Sequence, residues 1–329
     1  MREERLTILR CGLGRDSLAM LCLLFEHRLI VDGEPLGPSD VDAVVFTDPG
    51  AEWPATYALI PRGRAMCEAR GLRFIAQMKP PREVWEPFLA GRTIGQKGGQ
   101  PWRDDSSGTN AEKAARGYYH LRAPIMADYA SKGTIVAIAD PSCTANHKIA
   151  PNRALIDDLC MERFGCGNRR WSALVAAGHA KPHRMLIGIA ADEADRAIDG
   201  DGPLYEESRY PLVEMGIRKS DEAPILRRFF LDDTHKSGCT MCKFAPVSWY
   251  WALREEVPEQ FEAVVDYEAR ALRRNPKLLV FPRYGVPLPE AVRRWRAENP
   301  DATIDAVMSK DYKRCDKGGV AKPSKVAEE

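Results

Sequence analysis

Strand patterns and helix patterns alternate along the first half of the chain, and this alternation constrains the fold more than any other feature. Short apolar runs such as "LTILRCG", "VDAVVFTD", "LRFIAQM", "GTIVAIAD" and "RMLIGIAADE" are typical of buried strands. Segments with helical periodicity, such as "DSLAMLCLLFEHRL", lie between them. This order favours an α/β fold with a doubly wound parallel sheet, whose ligands lie at the carboxyl ends of the strands.

The character of the sequence changes near residue 220, where segments with helical periodicity follow one another without strands between them. We therefore expect a nucleotide-binding α/β domain over residues 1–220 and a smaller helical, cysteine-containing region over residues 221–315. The tail, residues 316–329, is predicted to be disordered.

Composition excludes several classes of protein. The 329 residues carry a formal net charge of +1 and are 44% hydrophobic, which is ordinary for a globular chain. We find no apolar run of membrane-spanning length and no signal-peptide pattern, so we expect a cytoplasmic protein with no membrane partner. Nine cysteines in such a compartment do not indicate a disulfide framework. The roles that remain for these cysteines are metal binding, cluster binding, redox chemistry and burial in the core.

The stretch "CGLGRDSLAML", residues 11–21, joins the first strand to the first helix and has the parts of an anion site. Gly12 and Gly14 let backbone N–H groups approach phosphate oxygens. Ser17 adds a hydroxyl at the helix N-terminus, and Arg15 can reach a phosphate directly. The alternative is an ordinary turn in which Asp16 caps the helix.

This stretch resembles the S-G-G-x-D-S loop of the PP-loop ATP pyrophosphatases, an adenine nucleotide alpha hydrolase-like superfamily. Two residues depart from that motif, because Cys11 replaces the usual Ser and Leu13 the usual second Gly. "FTDPGAEWPATY", residues 46–57, is similar to the F-x-D-T-G-x-E-x-P-E-T motif of the PAPS reductase branch, with Pro49 in place of Thr. The matching residues there are Phe46, Asp48, Gly50, Glu52, Pro54 and Thr56. "IGIAADEADRA", residues 187–197, resembles that branch's G-I-R-x-D-E-S-x-R segment, and Gly188, Asp192, Glu193 and Arg196 match.

The resemblance implies ATP chemistry, in which ATP is cleaved between its α- and β-phosphates and a substrate oxygen becomes adenylated. Such chemistry needs Mg²⁺ and cationic donors to offset the charge of the leaving pyrophosphate. The catalytic residues that it implies are Asp16, Ser17, Asp48 and Arg196. The nucleotide-binding residues are Cys11, Gly12, Gly14, Arg15, Asp16, Ser17, Asp48, Gly50 and Gly188.

The cysteines divide into two groups. "SGCTMCKF" contains Cys239 and Cys242 at a spacing that can grip one metal or cluster. "SCTANHKIAP" resembles a C-T-x-x-x-K-I-x-P segment of PAPS-reductase-like proteins of DNA sulfur modification and phages, where that cysteine joins a C-x-x-C pair to hold an iron–sulfur cluster. The implied ligands are Cys143, Cys239 and Cys242, with Cys315 as the candidate fourth; Cys160, Cys166 or no fourth ligand are the alternatives.

The cluster implied is of the [4Fe-4S] type, and a structural zinc ion on the same residues is the alternative occupant. Cys11, Cys22 and Cys67 lie on apparent helix or strand faces and are also expected in the core. His147, beside Cys143, is expected to be a hydrogen-bonded structural residue, with cluster tuning or acid–base chemistry as the alternative.

Arginines of the C-terminal half, interleaved with Trp249, Tyr250, Trp251, Tyr284 and Trp295, suit nucleic-acid binding, with bases stacked on the rings. The alternative is that these arginines pair with acidic residues of their own helices and that the rings form a core.

We therefore predict an ATP pyrophosphatase or sulfurtransferase that inserts sulfur into DNA or tRNA. A cysteine desulfurase or another sulfur donor would supply the sulfur. Two alternatives remain: a sulfonucleotide (PAPS or APS) reductase or transferase acting on a small nucleotide, and a non-catalytic ATP-binding module. The E-C-G-L-H segment of assimilatory reductases is missing from the sequence, which counts against the first of these.

Overall fold

The computed structural model describes residues 5–79, 124–132, 142–197, 202–229, 231, 234, 237–242, 244–274 and 285–309. The chain forms two compact units: unit 1 comprises Met1–Lys132 and Asn146–Thr240, and unit 2 comprises Gly133–Ala145 and Met241–Glu329. The expected boundaries at residues 220 and 315 stay predictions. The expected strand at residues 133–140, the tail 316–329, Tyr284 and Cys315 lie outside the described residues.

A parallel sheet forms the centre of unit 1. The strands of the described residues are β1 (Thr7–Arg10), β2 (Leu29–Val31), β3 (Glu34–Leu36), β4 (Ala43–Thr47), β5 (Phe74–Gln77), β6 (His183–Ile187) and β7 (Glu206–Arg209). The sheet has the order β5-β4-β1-β6-β7, and all its neighbouring strands are parallel. Ile8 of β1 pairs with Ala43 on one side and with Met185 on the other. Strand order reverses between β1 and β6, so a ligand crevice is expected at their carboxyl ends.

Helices cover both faces of this sheet, which confirms the predicted α/β fold. Those of unit 1 are α1 (Arg15–Phe25), α2 (Pro54–Glu68), α3 (Ile125–Lys132), α4 (Ala150–Phe164), α5 (Asn168–Ala176), α6 (Pro211–Glu214) and α7 (Lys219–Arg227). A short helical turn, Ser142–Thr144, and a π-helical segment, Ala145–Ile149, precede α4.

Successive residues of each central strand pack into the two cores on opposite faces of the sheet. Leu9 and Val44 pack in one core with the apolar residues of α1 and with Cys67 of α2. Ile8 and Val45 pack in the other, with Leu155 of α4 and with α5. Because side chains alternate across a strand, the consecutive apolar residues in the middle of β1 and β4 require a helix layer on each face.

Unit 2 is helical among the described residues, as expected for the C-terminal region. It contains α8 (Val247–Glu256), α9 (Pro258–Arg274), α10 (Leu288–Glu298) and α11 (Ile304–Met308). Its core includes Trp249, Tyr250 and Trp251 of α8 and Tyr267 of α9, all buried. None of the described helices is long and apolar enough to cross a membrane.

Candidate functional site

The glycine turn lies where the strand order reverses, at the N-terminus of α1. Gly14 is the last residue before α1 and has extended backbone angles, and the Ser17 hydroxyl donates to the Gly14 carbonyl at 3.0 Å. Gly188, just after β6, packs directly on this end of α1, because a methyl group there would lie 2.9 Å from backbone atoms of Asp16 and Ser17. The first and third predicted motifs therefore meet at one point, and Gly188 is needed for that close approach.

Leu13 stands where the S-G-G-x-D-S motif has its second glycine, and its backbone has a conformation that glycine adopts most readily. Its φ is 55°, in the left-handed region, which costs a residue with a Cβ about 1–2 kcal/mol. The side chain is fully buried, and a methyl group at Gly63 of α2 would lie 3.3 Å from its Cδ2 atom. Burial of a leucine side chain, about 1.5–3 kcal/mol, offsets the strain.

Three cysteines predicted as core residues are buried. The Cys11 thiol lies 3.7 Å from the Ser17 hydroxyl, and burial raises its pKa. Burial also raises the pKa of Cys22 and of Cys67 to about 12, so these thiols stay protonated near neutral pH. Cys11 therefore contributes to the turn through its backbone, while its side chain fills the core.

Asp48 organises the turn that follows β4. It is 2% exposed, and its Oδ1 atom accepts hydrogen bonds from the Gly50 amide at 2.7 Å and the Tyr57 hydroxyl at 2.8 Å. Its Oδ2 atom accepts one from the Lys79 amide at 3.0 Å. Burial raises its pKa even though these bonds lower it. A contact of Asp48 with nucleotide or Mg²⁺ stays a prediction.

Gly50 takes part in the same turn through its backbone. Its φ is 84°, and a methyl group there would lie 2.6 Å from the Cβ atom of Pro124. Both the backbone conformation and the space therefore require glycine at this position.

Glu52 connects the second motif to the helical segment of the first cysteine motif. Its side chain is 1% exposed, and its Oε1 atom accepts a hydrogen bond from the Lys148 ammonium at 2.9 Å. The Oε2 atom is buried with no hydrogen-bond partner among the described residues. A buried carboxylate held by one ammonium group is a costly arrangement, and such groups are frequent at functional sites.

The segment of residues 237–240, hereafter the cysteine segment, packs against both motifs. Cys239 forms an antiparallel bridge with Glu52, and the Thr240 amide donates to the Ala51 carbonyl at 2.7 Å. A methyl group at Gly14 would lie 2.5 Å from the Ser237 hydroxyl oxygen. Cys239 is therefore held beside the turn that the sequence predicts to bind phosphate, within unit 1.

Arg196, the predicted catalytic arginine of the third motif, lies in the 3₁₀ helix Ala191–Arg196 that follows β6. It forms an ion pair with Glu193, whose other oxygen accepts from the Lys219 ammonium at 2.8 Å. These contacts tie the third motif to the start of α7. A contact of Arg196 with nucleotide stays a prediction.

Glu222 is a buried carboxyl at the N-terminus of α1 that the sequence analysis did not identify. It lies on α7, is 1% exposed, and its Oε2 atom is 3.6 Å from the Nε atom of Arg15. Burial, followed by the charge of Asp16 and a hydrogen bond with it, raises the pKa of Glu222 to about 9. The one available signal in the sequence is a glutamate on the same helix face as the apolar Ile225 and Leu226.

The cysteines implied as cluster ligands differ in exposure from the other described cysteines. Cys143, Cys239 and Cys242 are half-buried, whereas Cys11, Cys22, Cys67, Cys160 and Cys166 are buried, and none of these eight is in a disulfide. Thiol ligands that are reachable and unoxidised suit a cluster. Cys239 belongs to unit 1, and Cys143 and Cys242 belong to unit 2. Among the described residues, no three His, Cys, Asp or Glu side chains are gathered as a metal site.

Cys160, an alternative fourth ligand, is part of a core. Its Sγ atom lies 3.3 Å from the Nε2 atom of His183, and burial raises its pKa to about 12. His147 is buried with its Nε2 atom 3.5 Å from the Oδ2 atom of Asp128, so it has the acidic partner expected of a structural histidine.

The aromatic residues of α8 do not form a base-stacking surface. Trp249, Tyr250 and Trp251 are buried, so the expectation that they stack on bases is wrong, and they pack the core of unit 2. Arginines of α9 and α10 pair with carboxylates of their own helices, as Arg270 does with Asp266 at 2.6 Å. Trp295 is half-buried with its ring centroid 5.2 Å from that of Trp251.

The opposite edge of the sheet carries a second polar feature. A cleft of about 570 Å³ lies at the amino ends of β1 and β6. Its charges neutralise one another, since Arg209 and Arg184 pair with Asp32 at 2.6 and 3.2 Å. None of the predicted site residues lines it.

These features define an α/β protein of the doubly wound class with a glycine turn at the point where the strand order reverses. No family model matches the chain, and no curated protein matches it. Among solved structures, the chain is similar to the U34-tRNA thiolase NcsA from Methanococcus maripaludis with its [4Fe-4S] cluster. The identity is 12% and the TM-score 0.35, and the match covers 92% of this chain and 74% of the thiolase.

Proposed function

We propose that this protein is an ATP-dependent, PAPS-reductase-like enzyme with an iron–sulfur cluster, which adenylates a substrate oxygen and supports the insertion of sulfur. The observation that carries the proposal is the position of the cysteine segment on the glycine turn. Ser237 contacts Gly14, and Cys239 is bridged to Glu52 of the second motif. A thiol beside a phosphate-binding turn suits an enzyme that activates a substrate with ATP and then delivers sulfur to it.

The reaction consists of two displacements without net oxidation. First, the substrate oxygen attacks the α-phosphorus of ATP, an O–P bond forms, and the bond to pyrophosphate breaks. Then sulfur at the oxidation level of sulfide attacks the atom that bears the adenylated oxygen, and AMP leaves with that oxygen. The N-terminus of α1, with Arg15 and Ser17, would bind the phosphates, and Mg²⁺ would offset the charge of pyrophosphate.

The cluster ligands that we propose are Cys143, Cys239 and Cys242, with Cys315 as the fourth. The half-buried state of the first three supports this assignment. In the alternative without a fourth protein ligand, one iron of the cluster would be open and could bind sulfide. The sulfur donor would be a cysteine desulfurase, whose persulfide sulfur a thiol reductant would release as sulfide, or another sulfur carrier. The substrate would be DNA or tRNA.

Anaerobic purification with iron and sulfide assays and a visible spectrum tests the cluster. We expect a brown protein with about four irons and four sulfides per chain. Cys239→Ser should lose the colour, while Cys67→Ser, a buried core cysteine of the same unit, should keep it. A colourless protein with one bound zinc ion would contradict the cluster and leave these cysteines a structural role.

Exchange of labelled pyrophosphate into ATP tests the first displacement, since it requires reversible cleavage at the α-phosphorus. We expect exchange that depends on substrate, followed by transfer of labelled sulfur to tRNA or DNA. ATP binding without exchange in the presence of either nucleic acid would contradict an enzyme of this kind and favour an ATP-binding module. Release of sulfite from PAPS or APS in the presence of a thiol reductant, without pyrophosphate exchange, would favour the sulfonucleotide alternative.

A further inference from the structure

A long segment without acidic residues extends from the end of α4 through α5 and β6. Between Glu162 and Asp192 the sequence contains no Asp or Glu, although charged residues make up 29% of the whole chain and nearly cancel to a net charge of +1. The Lys and Arg residues of this segment are Arg163, Arg169, Arg170, Lys181 and Arg184. Positive charge is therefore concentrated on this part of unit 1.

Two of these arginines differ from the others in having no acidic partner. Arg163 and Arg184 each pair with an aspartate. Arg169 and Arg170, the second and third residues of α5, are exposed, and neither forms an ion pair with another of the described residues. A cation in the first turn of a helix faces the positive end of the helix dipole, which is unfavourable. The stability of α5 therefore does not explain why two arginines stand there.

A cavity of about 720 Å³ lies beside these arginines. Phe164 and Leu174 form apolar walls of this cavity, and both are half-buried against the core that contains Trp171. The lining also includes Arg170, His179 and Lys181, and no acidic residue of the described chain. Pockets for small molecules measure roughly 300–1,000 Å³, so one nucleobase with its ribose fits this volume.

Two carboxylates of α4 lie next to the segment and have partners of their own. The Oδ1 atom of Asp157 accepts a hydrogen bond from the Asn168 amide at 2.6 Å, at the start of α5. Glu162 pairs with Arg73 at 3.0 Å. Neither of these carboxylates lines the cavity, so the basic lining keeps its charge.

Exposed arginines beside an apolar cavity suit a ligand that combines phosphates with rings, as nucleic acids do. Guanidinium groups bind phosphate oxygens in pairs, and this geometry makes Arg a frequent phosphate ligand. A base of a DNA duplex would have to be flipped out of its stack to enter the cavity, at a cost of a few kcal/mol. A loop of folded RNA presents unpaired bases without that cost, so the cavity favours RNA.

The surface lies toward the opposite end of the sheet from the glycine turn. Lys181 comes just before β6, and Gly188 comes directly after it. The five residues of β6 separate these points by about 16 Å. A small nucleotide held at the glycine turn would not reach the arginines of α5, whereas a folded RNA is long enough to contact both places.

We propose that Arg169, Arg170 and the adjoining cavity bind RNA, with an unpaired base in the cavity and the neighbouring phosphates on the two arginines. This inference rests on the proposed function, and it selects folded RNA over a small nucleotide as the substrate. The surface would hold a part of the RNA remote from the reacting nucleotide. Binding energy gained there would position the reacting nucleotide at the glycine turn.

Fluorescence anisotropy with a labelled, unmodified tRNA transcript tests the inference on the full chain. We expect the double variant Arg169→Gln, Arg170→Gln to bind at least about tenfold more weakly, and the slope of log affinity against log salt to fall by about 1.4 for two phosphate contacts. The matched control is Arg293→Gln, Arg294→Gln, another exposed pair of adjacent arginines, which both contact Glu290. This control removes the same charge and should leave the affinity nearly unchanged.

A second comparison tests the role of the cavity. The tRNA transcript, with its loops, should bind more tightly than a blunt-ended RNA duplex of similar length. Leu174→Glu places a carboxylate in the cavity and should remove this difference. Circular dichroism and thermal unfolding verify that each variant is folded.

Equal weakening by the α5 double variant and by its control would overturn the inference, because net charge alone would then explain binding. Tighter binding of duplex DNA than of the transcript would also overturn it. ATP binding and iron content, measured on the same proteins, distinguish this failure from that of the proposed function. RNA binding that depends on the α5 arginines in a protein without ATP binding or cluster would support the surface and contradict the enzyme. A protein with ATP and cluster whose RNA affinity is unchanged in the double variant would do the reverse.

Discussion

Acid should destabilise this protein through His183, a buried histidine that must stay neutral in the fold. The Nδ1 atom of His183 accepts a hydrogen bond from the Leu6 amide at 3.2 Å, so a proton there would face another N–H group. The ring is stacked with that of Trp171, 4.7 Å away between centroids. Replacement by glutamine removes the titrating group while keeping a polar side chain of similar length.

The magnitude follows from the pKa of His183 in the two states. Burial, and then the charges of Arg163 and Arg5, lower this pKa to about 4 from an ordinary value of 6.5. Between these two pH values the unfolded chain binds a proton that the folded chain does not. The contribution of His183 to stability is therefore complete above pH 6.5 and is lost as the pH falls toward 4, by about 3 kcal/mol in all.

Urea unfolding at about pH 7 and at about pH 4.5, monitored by amide hydrogen exchange of β1 and β6, measures this loss. We expect the native chain to lose about 2–3 kcal/mol more between these pH values than His183→Gln does. The variant should be less stable than the native chain near neutral pH, because its packing and hydrogen bonds are altered. Equal losses in the two proteins would refute the reasoning, since the acid sensitivity would then come from other groups.

Three further predictions concern the packing of the site and the core of unit 2. Gly188→Ala should lower the free energy of unfolding by about 1–3 kcal/mol and weaken nucleotide binding, because the new methyl group would lie 2.9 Å from backbone atoms of α1. Gly12→Ala is the control in chemical denaturation, because a methyl group there would have its nearest neighbour at 3.5 Å. Lys148→Met should destabilise the protein by roughly 1–3 kcal/mol more than the double variant Lys148→Met, Glu52→Gln does. The single variant leaves the buried charge of Glu52 unpaired, whereas the double variant removes that charge. Burial raises the pKa of Glu268 to about 7, so the native protein should lose stability as the pH rises from 4.5 to about 7. In Glu268→Gln this loss of stability should be smaller.

Each of these predictions has a contradicting result. Equal unfolding free energies for the Gly188 and Gly12 variants would show that β6 can move away from α1. Additive effects of Lys148→Met and Glu52→Gln in the double-mutant cycle would show that solvent, which reaches Lys148, stabilises the charge of Glu52 in place of the ion pair. An unchanged pH profile in Glu268→Gln would show that its carboxyl titrates normally in the folded protein.

Periodicity was sufficient to predict the main elements. The strands "TILR", "AVVFT" and "FIAQ" lie inside predicted apolar runs, and helices α1, α2, α8, α9 and α10 lie at predicted segments. These elements bury a face or a whole surface, so their apolar spacing is dictated by the core. Strand β7, with the sequence "EESR", could not be found in this way, because it is an edge strand whose half-buried side chains include ion pairs such as that of Arg209 with Glu207 at 3.0 Å.

The hairpin of β2 and β3 was missed although its turn carries a signal. Asp32 and Gly33 both have positive φ, at 55° and 80°, and an Asp-Gly pair between short apolar runs is typical of a two-residue hairpin turn. The strands are only three residues long, too short for a clear alternation.

The sequence by itself determined the α/β class, the positions of the three motifs at strand ends, and the core positions of Cys11, Cys22 and Cys67, because each depends on local spacing and on the neighbours along the chain. Only the tertiary structure decided which distant groups share one place. The contact of Ser237 with Gly14, the bridge between Cys239 and Glu52, and the approach of Glu222 to Asp16 join residues far apart in sequence. Local patterns carry no record of such pairs, because long-range packing of the helices and loops, and not the propensity of any segment, brings them together.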